Sequence, residues 1–205
     1  GIFKENGPFF VGWDEGRNES FLYPNKHAWT KTHHMLYIDN PVGTGYSFTD
    51  RPEGYRKSDE SVAVDLLEAV RQFMIVYPYM LVPEDVWSEH PLVRDAQKHE
   101  TKHEFFAFGE SYGGSYVTAL GHKYLEYVRT DDPTVTNMKL VGIGIGNGFI
   151  SSEHQSVYAD HMSAIVYMTE DEYGYLKDKE LEARNISTNR NASESHSIVQ
   201  VTCKG

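Results

Sequence analysis

Hydrophobic and polar positions along this chain fall into blocks that predict strands and helices in turn. Short apolar runs at Met35–Asp39, Phe105–Phe108 and Lys139–Ile145 are bounded by turn-forming residues, which is typical of buried strands. Apolar residues at helical spacing extend from Ser58, the expected N-cap, to Tyr77, and a second helix ends near Arg129. Strands and helices alternating with long crossovers predict an α/β fold with a parallel sheet covered on both faces.

The pattern of apolar positions is weaker after the third predicted strand and in the segment between the first helix and the second strand. Two helices are expected near Ser152–Val166 and Thr169–Ala183, and the polar tail from Arg184 favours a surface loop. The segment Pro83–Lys102 has no periodicity and is long for a connection inside an α/β unit, where about 2 to 6 residues are usual. We expect it to be a surface lobe or a local insertion.

Composition narrows the class of protein. The chain has 205 residues with 40% apolar and 13% aromatic content, enough for a packed core of one domain or one and a half. Its formal net charge of −11 excludes a nucleic-acid partner, because phosphate binding needs clustered Lys and Arg. Since no apolar run approaches about 18 to 20 residues, no membrane span is expected.

Cysteine and glycosylation signals point in opposite directions. Cys203 is the single cysteine, so no internal disulfide framework is possible, which on composition favours a reducing compartment. Three Asn-x-Ser sequons, at Asn18, Asn185 and Asn191, instead favour a secreted or lumenal protein. In that setting Cys203 would pair with a cysteine outside this chain.

The segment Gly109–Gly113 reads Gly-Glu-Ser-Tyr-Gly, with a predicted strand before it and a predicted helix after it. In this setting the serine sits on a strained turn with its hydroxyl exposed, which makes Ser111 a candidate nucleophile. Cβ atoms at Gly109 and Gly113 are expected to collide with neighbouring elements. The helix N-terminus adds partial positive charge, and the Tyr112 N–H is a candidate oxyanion donor.

A serine nucleophile needs a base, and the base needs an orienting carboxylate. In folds with this turn, the carboxylate and then the histidine follow later strands. The four histidines after Ser111 do not follow a recognisable later strand, and we expect them on the surface or packed on helices: they are His122, His154, His161 and His196. The chain therefore offers a nucleophile without a visible base.

Glycines at positions 142, 144, 146 and 148 suggest a dinucleotide-binding loop at first sight. The pattern Gly-x-Gly-x-x-Gly fails in both registers, because Asn147 and Phe149 stand where the last glycine is required. Glycines within a strand more often allow close backbone approach. We therefore expect no nucleotide site.

Five segments of this chain form a set of motifs in a fixed order. They are Glu5-Asn-Gly-Pro-Phe9, Trp29-Thr-Lys31, Met35 to Phe48 with its Asn-Pro-Val-Gly-Thr-Gly-Tyr-Ser sequence, Gly-Glu-Ser-Tyr-Gly-Gly at 109–114, and Gly144 to Gly148. Together they resemble the motifs of the serine carboxypeptidases, and within that family those of the animal vitellogenic-like enzymes. The resemblance extends from Gly1 to about Glu172.

This resemblance implies part of an α/β-hydrolase fold, with residues 1–150 in the nucleophile-bearing core and 151–205 starting a helical insertion that caps the cleft. It implies removal of single residues from peptide or protein C-termini at acidic pH, in a secreted or lysosomal protein, and it implies no metal and no organic cofactor. By position, Ser111 would be the nucleophile and Tyr112 would supply one oxyanion N–H. Glu5 and Glu110 would bind the substrate carboxylate, because two neighbouring carboxyl groups can share a proton and donate it to a third.

Departures from the family pattern qualify this implication. The family's Trp-x-x-Gly-Gly-Pro-Gly segment is expected before Gly1, and its catalytic Asp and His after Gly205. Ser151 and Ser152 stand where Asp-Pro is common, and Thr118 stands where proline is usual. The chain by itself is therefore expected to be an inactive fragment, since loss of triad partners costs several powers of ten in rate.

Two other functions stay open from the residues alone. An esterase or lipase of the same fold would share the Gly-x-Ser-x-Gly turn, but it would have no use for Glu5 and Glu110. A truncated, non-catalytic binding module is the alternative from another class. The preferred C-terminal residue and the oligomeric state are not encoded in any motif of this chain.

Overall fold

The computed structural model describes residues 1–77, 104–130, 138–165 and 167–188. Asn191, His196, Cys203 and the segment 83–102 lie outside the described residues. By contact density the chain divides into two compact units, residues 1–56 and 57–205. The functional boundary predicted at residue 150 is a different division and stays a prediction.

The first unit is built on a hairpin that the apolar pattern did not predict. Strand β1 (Phe9–Asp14) pairs with β2 (Glu19–Pro24) in antiparallel register. The connection is a tight turn in which the Asp14 carboxylate accepts a hydrogen bond from the Gly16 N–H at 2.9 Å and Asn18 has a φ of 55°. Aromatic residues on both strands suit a pleated surface. Because apolar residues occupy consecutive positions in these strands, the alternation of apolar and polar residues that usually predicts a strand is not visible.

The strand predicted at Met35–Asp39 is wrong for the described residues, which contain no ladder partner for it. The segment keeps an alternating exposure of Met35, Leu36 and Tyr37, but a strand also needs a neighbour for its backbone groups. Two 3₁₀ turns, Trp29–Lys31 and Pro52–Gly54, flank this segment.

The second unit follows the predicted order closely. Helix α1 (Asp59–Val76) begins at Ser58, whose side chain and that of Ser61 form a reciprocal cap, so the predicted N-cap is confirmed. Strand β3 (Phe105–Glu110), helix α2 (Gly113–Arg129) and strand β4 (Leu140–Gly146) follow. β3 and β4 pair in parallel, which confirms the predicted parallel crossover.

Helix α2 packs on one face of this strand pair, and α1 packs against α2. Leu67 and Met74 of α1, Leu120 of α2 and Met138 before β4 form the buried cluster. The opposite face carries Phe106 and Phe108, which are 59% and 56% exposed. Coverage on both faces was therefore wrong for the described part of the chain, because α1 packs against α2 and not behind β3.

Three helices follow β4, where two were predicted: α3 (Ser152–Gln155), α4 (Ala159–Ile165) and α5 (Glu170–Thr188). The break between α3 and α4 has a physical cause. The buried Glu180 carboxylate of α5 accepts a hydrogen bond from the Ala159 N–H, and a carboxylate at this position stabilises a new helix N-terminus. No helix in the described ranges has the length and apolar character that a membrane span needs.

The polar tail predicted as a loop from Arg184 is also wrong at its start, because α5 continues to Thr188. Asn185 therefore lies on a helix, with its side chain exposed. Charged residues at helical spacing support a solvated helix here, which an apolar stripe alone does not reveal.

An ion pair within α1 links stability to pH. The Arg71 guanidinium donates two hydrogen bonds of 2.6 Å to the Glu68 carboxylate, and Gln72 donates a third of 2.7 Å. These bonds, led by those from Arg71, lower the pKa of Glu68 from 4.5 to about 2. A lowered pKa means that the ionised carboxylate favours the folded state, so its contribution exists above pH 4.5 and is lost as the pH falls towards 2.

We predict that Glu68→Gln lowers the free energy of unfolding by roughly 0.2–1 kcal/mol at pH 6, a small effect because water screens a half-exposed pair. The difference between the two proteins should shrink below pH 4.5 and disappear near pH 2. Urea unfolding at several pH values measures it. A difference that stays constant across this range would contradict the assignment.

Candidate active site

Ser111 lies on a sharp turn between β3 and α2. Its φ is 56°, in the left-handed region that residues with a Cβ rarely adopt, and its side chain is exposed. Such a conformation typically costs about 1–3 kcal/mol and persists only when the surroundings hold it. The predicted strand–turn–helix context is therefore present around this serine.

Three backbone hydrogen bonds hold the Ser111 conformation. Its N–H donates to the Gly146 carbonyl at 3.0 Å, and its carbonyl accepts from the Phe149 N–H at 2.9 Å. The carbonyl also accepts from the Gly114 N–H at 3.0 Å. Asn147, between the two partners on the turn after β4, has a φ of 46°. Two left-handed residues thus face each other across the parallel strand ends.

Close backbone approach explains Gly109 and Gly114 at this turn, but it does not explain Gly113. A Cβ at Gly109 would overlap the Gly113 carbonyl, as predicted, and one at Gly114 would lie 2.9 Å from the Gly148 Cα. At Gly113, however, an added Cβ meets no atom of the described residues within 4 Å. The predicted collision at Gly113 is wrong, because its Cα–Cβ direction leads away from the strand.

Side chains from α2 and α3 fix the turn after β4. The Ser115 hydroxyl, nearly buried, donates to the Phe149 carbonyl at 2.7 Å. The Gln155 amide donates to the Gly148 carbonyl at 2.7 Å and accepts from the Ile150 N–H at 2.7 Å. Nothing in the local sequence pattern marks Ser115 or Gln155, so neither was predictable as part of this turn. Each one satisfies backbone groups that the irregular turn leaves unpaired.

The Tyr112 side chain is anchored to the start of α1. Its hydroxyl donates to the Asp59 carboxylate, and its ring contacts Tyr116 at a centroid distance of 5.1 Å. Burial raises the pKa of the Asp59 carboxyl, an effect that the hydrogen bond from Tyr112 opposes. Burial and the charge of Asp59 both raise the pKa of Tyr112. Tyr112, whose N–H is the predicted oxyanion donor, is thus tied to a second helix.

The described histidines after Ser111 all lie at the surface and make local contacts. His122 is 74% exposed and lies 3.8 Å from the Glu126 carboxylate one helical turn on. His154 Nδ1 lies 2.9 Å from the Ser151 hydroxyl, and His161 is exposed on α4. No hydrogen bond joins any of these three rings to the Ser111 hydroxyl.

The two predicted carboxylate-binding residues belong to different units. Glu110 ends β3 directly before Ser111, with its side chain exposed. Glu5 lies in the first unit, before β1, with a φ of 58° and a side chain that is 50% exposed. In the second unit, Glu110 directly precedes Ser111 and Tyr112 in the chain.

The glycine-rich strand β4 serves aromatic packing. A Cβ at Gly142 would lie 3.0 Å from the Phe106 ring, and one at Gly144 would overlap the Phe108 ring, so both glycines allow these rings to lie across the strand. Within residues 1–77, 104–130, 138–165 and 167–188, no three His, Cys, Asp or Glu side chains are grouped to hold a metal ion.

The two motif glycines make a matched pair for testing the turn. We predict that Gly109→Ala destabilises the protein by roughly 1–3 kcal/mol or more, since backbone must move to admit the methyl group. Gly113→Ala should leave stability unchanged or raise it by up to about 1 kcal/mol, because alanine favours the first turn of a helix over glycine. Chemical unfolding compares them, and equal losses would contradict the geometry.

Comparison with known proteins shows a sequence similarity that covers nearly the whole chain. The family model described as serine carboxypeptidase matches residues 1–204. Vitellogenic carboxypeptidase of Aedes aegypti is 35% identical over 79% of this chain and 28% of its own length. Venom serine carboxypeptidase of Apis mellifera is 34% identical over 79% and 29%. The human probable serine carboxypeptidase CPVL is 33% identical over 86% and 32%.

One solved structure has the same fold over most of this chain. It is the prohormone-processing carboxypeptidase Kex1(delta)p of Saccharomyces cerevisiae, with a TM-score of 0.67, 20% identity, and coverage of 98% of this chain and 40% of that one. The chain spans about three-tenths of the length of the curated relatives that it matches. The fold of the present chain is part of the α/β-hydrolase fold. The match over residues 1–204 shows that the chain belongs to the serine carboxypeptidase family.

Proposed function

We propose that the full-length protein carrying this chain is a serine carboxypeptidase that removes single residues from peptide C-termini at acidic pH. The observation that carries the proposal is the elbow at Ser111, an exposed serine in a left-handed conformation with an exposed glutamate, Glu110, directly before it. A nucleophile and a group that selects a substrate end thus occupy adjacent residues.

The proposed reaction begins when the Ser111 oxygen attacks the carbonyl carbon of the last peptide bond and its proton passes to a general base. The base and its carboxylate partner are expected from the remainder of the full-length protein. The tetrahedral oxyanion accepts a hydrogen bond from the Tyr112 N–H at the start of α2, where the helix dipole also favours negative charge. Loss of the terminal amino acid leaves an acyl-enzyme, which water then hydrolyses to regenerate Ser111.

Glu110 and Glu5 give the proposal its substrate class. We propose that both side chains bind the substrate's terminal carboxylate and share one proton at acidic pH, which makes one of them a hydrogen-bond donor. When the pH rises the proton is lost, and three negative groups repel one another. An esterase or lipase would gain nothing from this arrangement, because an ester substrate has no terminal carboxylate.

A secreted or lysosomal location fits the exposed sequons. The Asn18 side chain is exposed at the turn of the β1–β2 hairpin, and Asn185 is exposed on α5. Both are open to carbohydrate attachment, and we propose them as glycosylation sites together with Asn191. We further propose that this chain alone is inactive, which leaves a non-catalytic binding module as the alternative for an isolated product.

Substrate binding should depend on pH in the full-length protein. We predict that KM for a peptide with a free C-terminal carboxylate rises by about tenfold or more from pH 4 to pH 8, as the shared proton is lost. Glu110→Ala, which removes the carboxyl group and any donor at this position, should raise KM at pH 4 and flatten this profile. Glu104→Ala, which alters an exposed glutamate just before β3, is the matched control and should keep the profile. A KM that is flat in the parent protein would exclude the carboxylate-pair mechanism.

The isolated chain should react poorly with a serine-directed probe. We predict that a fluorophosphonate labels Ser111 at least about 10³-fold more slowly in the 205-residue chain than in the full-length protein, because no histidine among the described residues is hydrogen-bonded to the Ser111 hydroxyl to take its proton. Ser111→Ala in the full-length protein is the control and should abolish labelling. Labelling of the isolated chain at the full-length rate would refute its proposed inactivity.

A further inference from the structure

Asn25 is a buried polar residue that the proposed chemistry does not use. It directly follows β2, and only 3% of its surface is exposed. Its side-chain amide donates one hydrogen bond to the Glu5 carbonyl and one to the Gly7 carbonyl, each 2.8 Å long. Its side-chain oxygen accepts from the His27 N–H at 2.9 Å. Every hydrogen of this amide group is therefore occupied, and the partners fix its orientation.

The loop that Asn25 contacts is held at four consecutive carbonyls. Besides the two bonds from the side chain, the Asn25 backbone N–H donates to the Pro8 carbonyl at 2.9 Å. The remaining carbonyl, that of Asn6, accepts from the Trp29 N–H at 3.0 Å. Asn25 thus supplies the donors for three of the four carbonyls from Glu5 to Pro8.

This loop needs such support because its backbone is strained. The left-handed φ of 58° at Glu5 is unfavourable for a residue with a side chain. Gly7 is buried, and a Cβ there would overlap the carbonyls of Gly1 and Ile2, so the loop has no room to relax in that direction. Without Asn25, two inward-facing carbonyls would lose their donors, and Glu5 would lose the contact that holds its conformation.

The Glu5 side chain is presented outward by the same arrangement. Its backbone carbonyl is fixed inside by Asn25, while its side chain remains 50% exposed. A buried amide fixes the backbone of an acidic residue whose side chain stays accessible to a ligand. This is the expected form of a binding group whose orientation is set by a neighbour that the ligand never contacts.

We propose that Asn25 is a positioning residue for substrate recognition, which holds Glu5 in the one backbone conformation from which it binds the terminal carboxylate of the peptide. The proposal rests on the function proposed above for Glu5. It adds that specificity for a free C-terminus depends on a buried amide in the first unit, at a residue without any contact to substrate.

The test compares two substrates of the full-length protein, a blocked peptide with a free C-terminal carboxylate and the same peptide ending in a carboxamide. We predict that Asn25→Ala lowers kcat/KM for the free acid by about tenfold or more and changes that for the carboxamide less than about twofold. Asn25→Asp keeps the shape of the side chain and the acceptor for the His27 N–H but removes both donors. It should give the same two results in kcat/KM as Asn25→Ala. Because both rates come from the same folded molecules, their ratio does not depend on the folded fraction.

Three further measurements separate positioning from general stability. Glu5→Ala, which removes the carboxyl group, should lower the same ratio by about the same factor, and adding Asn25→Ala to it should lower the ratio no further. The matched control, Asn6→Ala, alters a side chain in the same loop without removing any of the four carbonyl bonds, and it should keep the ratio within about twofold.

Two outcomes would overturn the inference, and they have different meanings. Equal losses on both substrates in the Asn25 variants, or additive losses in the double variant, would show a purely structural role while the proposed function stands. A Glu5→Ala variant with an unchanged ratio would instead remove the proposed role of Glu5, and the inference about Asn25 would fall with it.

Discussion

The backbone pairing between Ser111 and the turn after β4 is the interaction on which the second unit depends. A left-handed serine is unfavourable by itself, and the hydrogen bond that its N–H donates to the Gly146 carbonyl and the one that its carbonyl accepts from the Phe149 N–H offset that cost. These bonds exist because β3 and β4 run in parallel, so that both strands end at the same edge. Helix α2 packs on one face of the strand pair and α1 packs against α2, which stabilises this edge.

Local sequence patterns predicted the parts whose cause is local. Helix α1 was predictable from its apolar spacing and from the serine at its cap, and the elbow was predictable from a motif flanked by a strand and a helix. In each case, the residues that decide the structure lie within one or two turns of one another. Tyr112 was a candidate oxyanion donor because it follows the motif serine, whereas the role of Glu110 came from the resemblance to the serine carboxypeptidases; both roles stay predictions.

Features that depend on partners distant in the chain were not predictable from the same patterns. The apolar run at Met35–Asp39 has the composition of a strand, but pairing is decided by the neighbour that it lacks among the described residues. The link between Asp59 and Tyr112 joins two helices that no motif connects. Asn25 reads as an ordinary turn residue until its buried contacts with the Glu5 loop are seen.

Gly114 and Gly148 are in close contact beside the Ser111 turn, so the room for a side chain at one position depends on the residue at the other. Their backbones approach so closely that a methyl group at Gly114 would press on the Gly148 Cα. A substitution at one of these positions therefore changes which residues the other tolerates. In a set of relatives, the two should vary together or not at all, and their covariation would record the distance between the first turn of α2 and the end of β4.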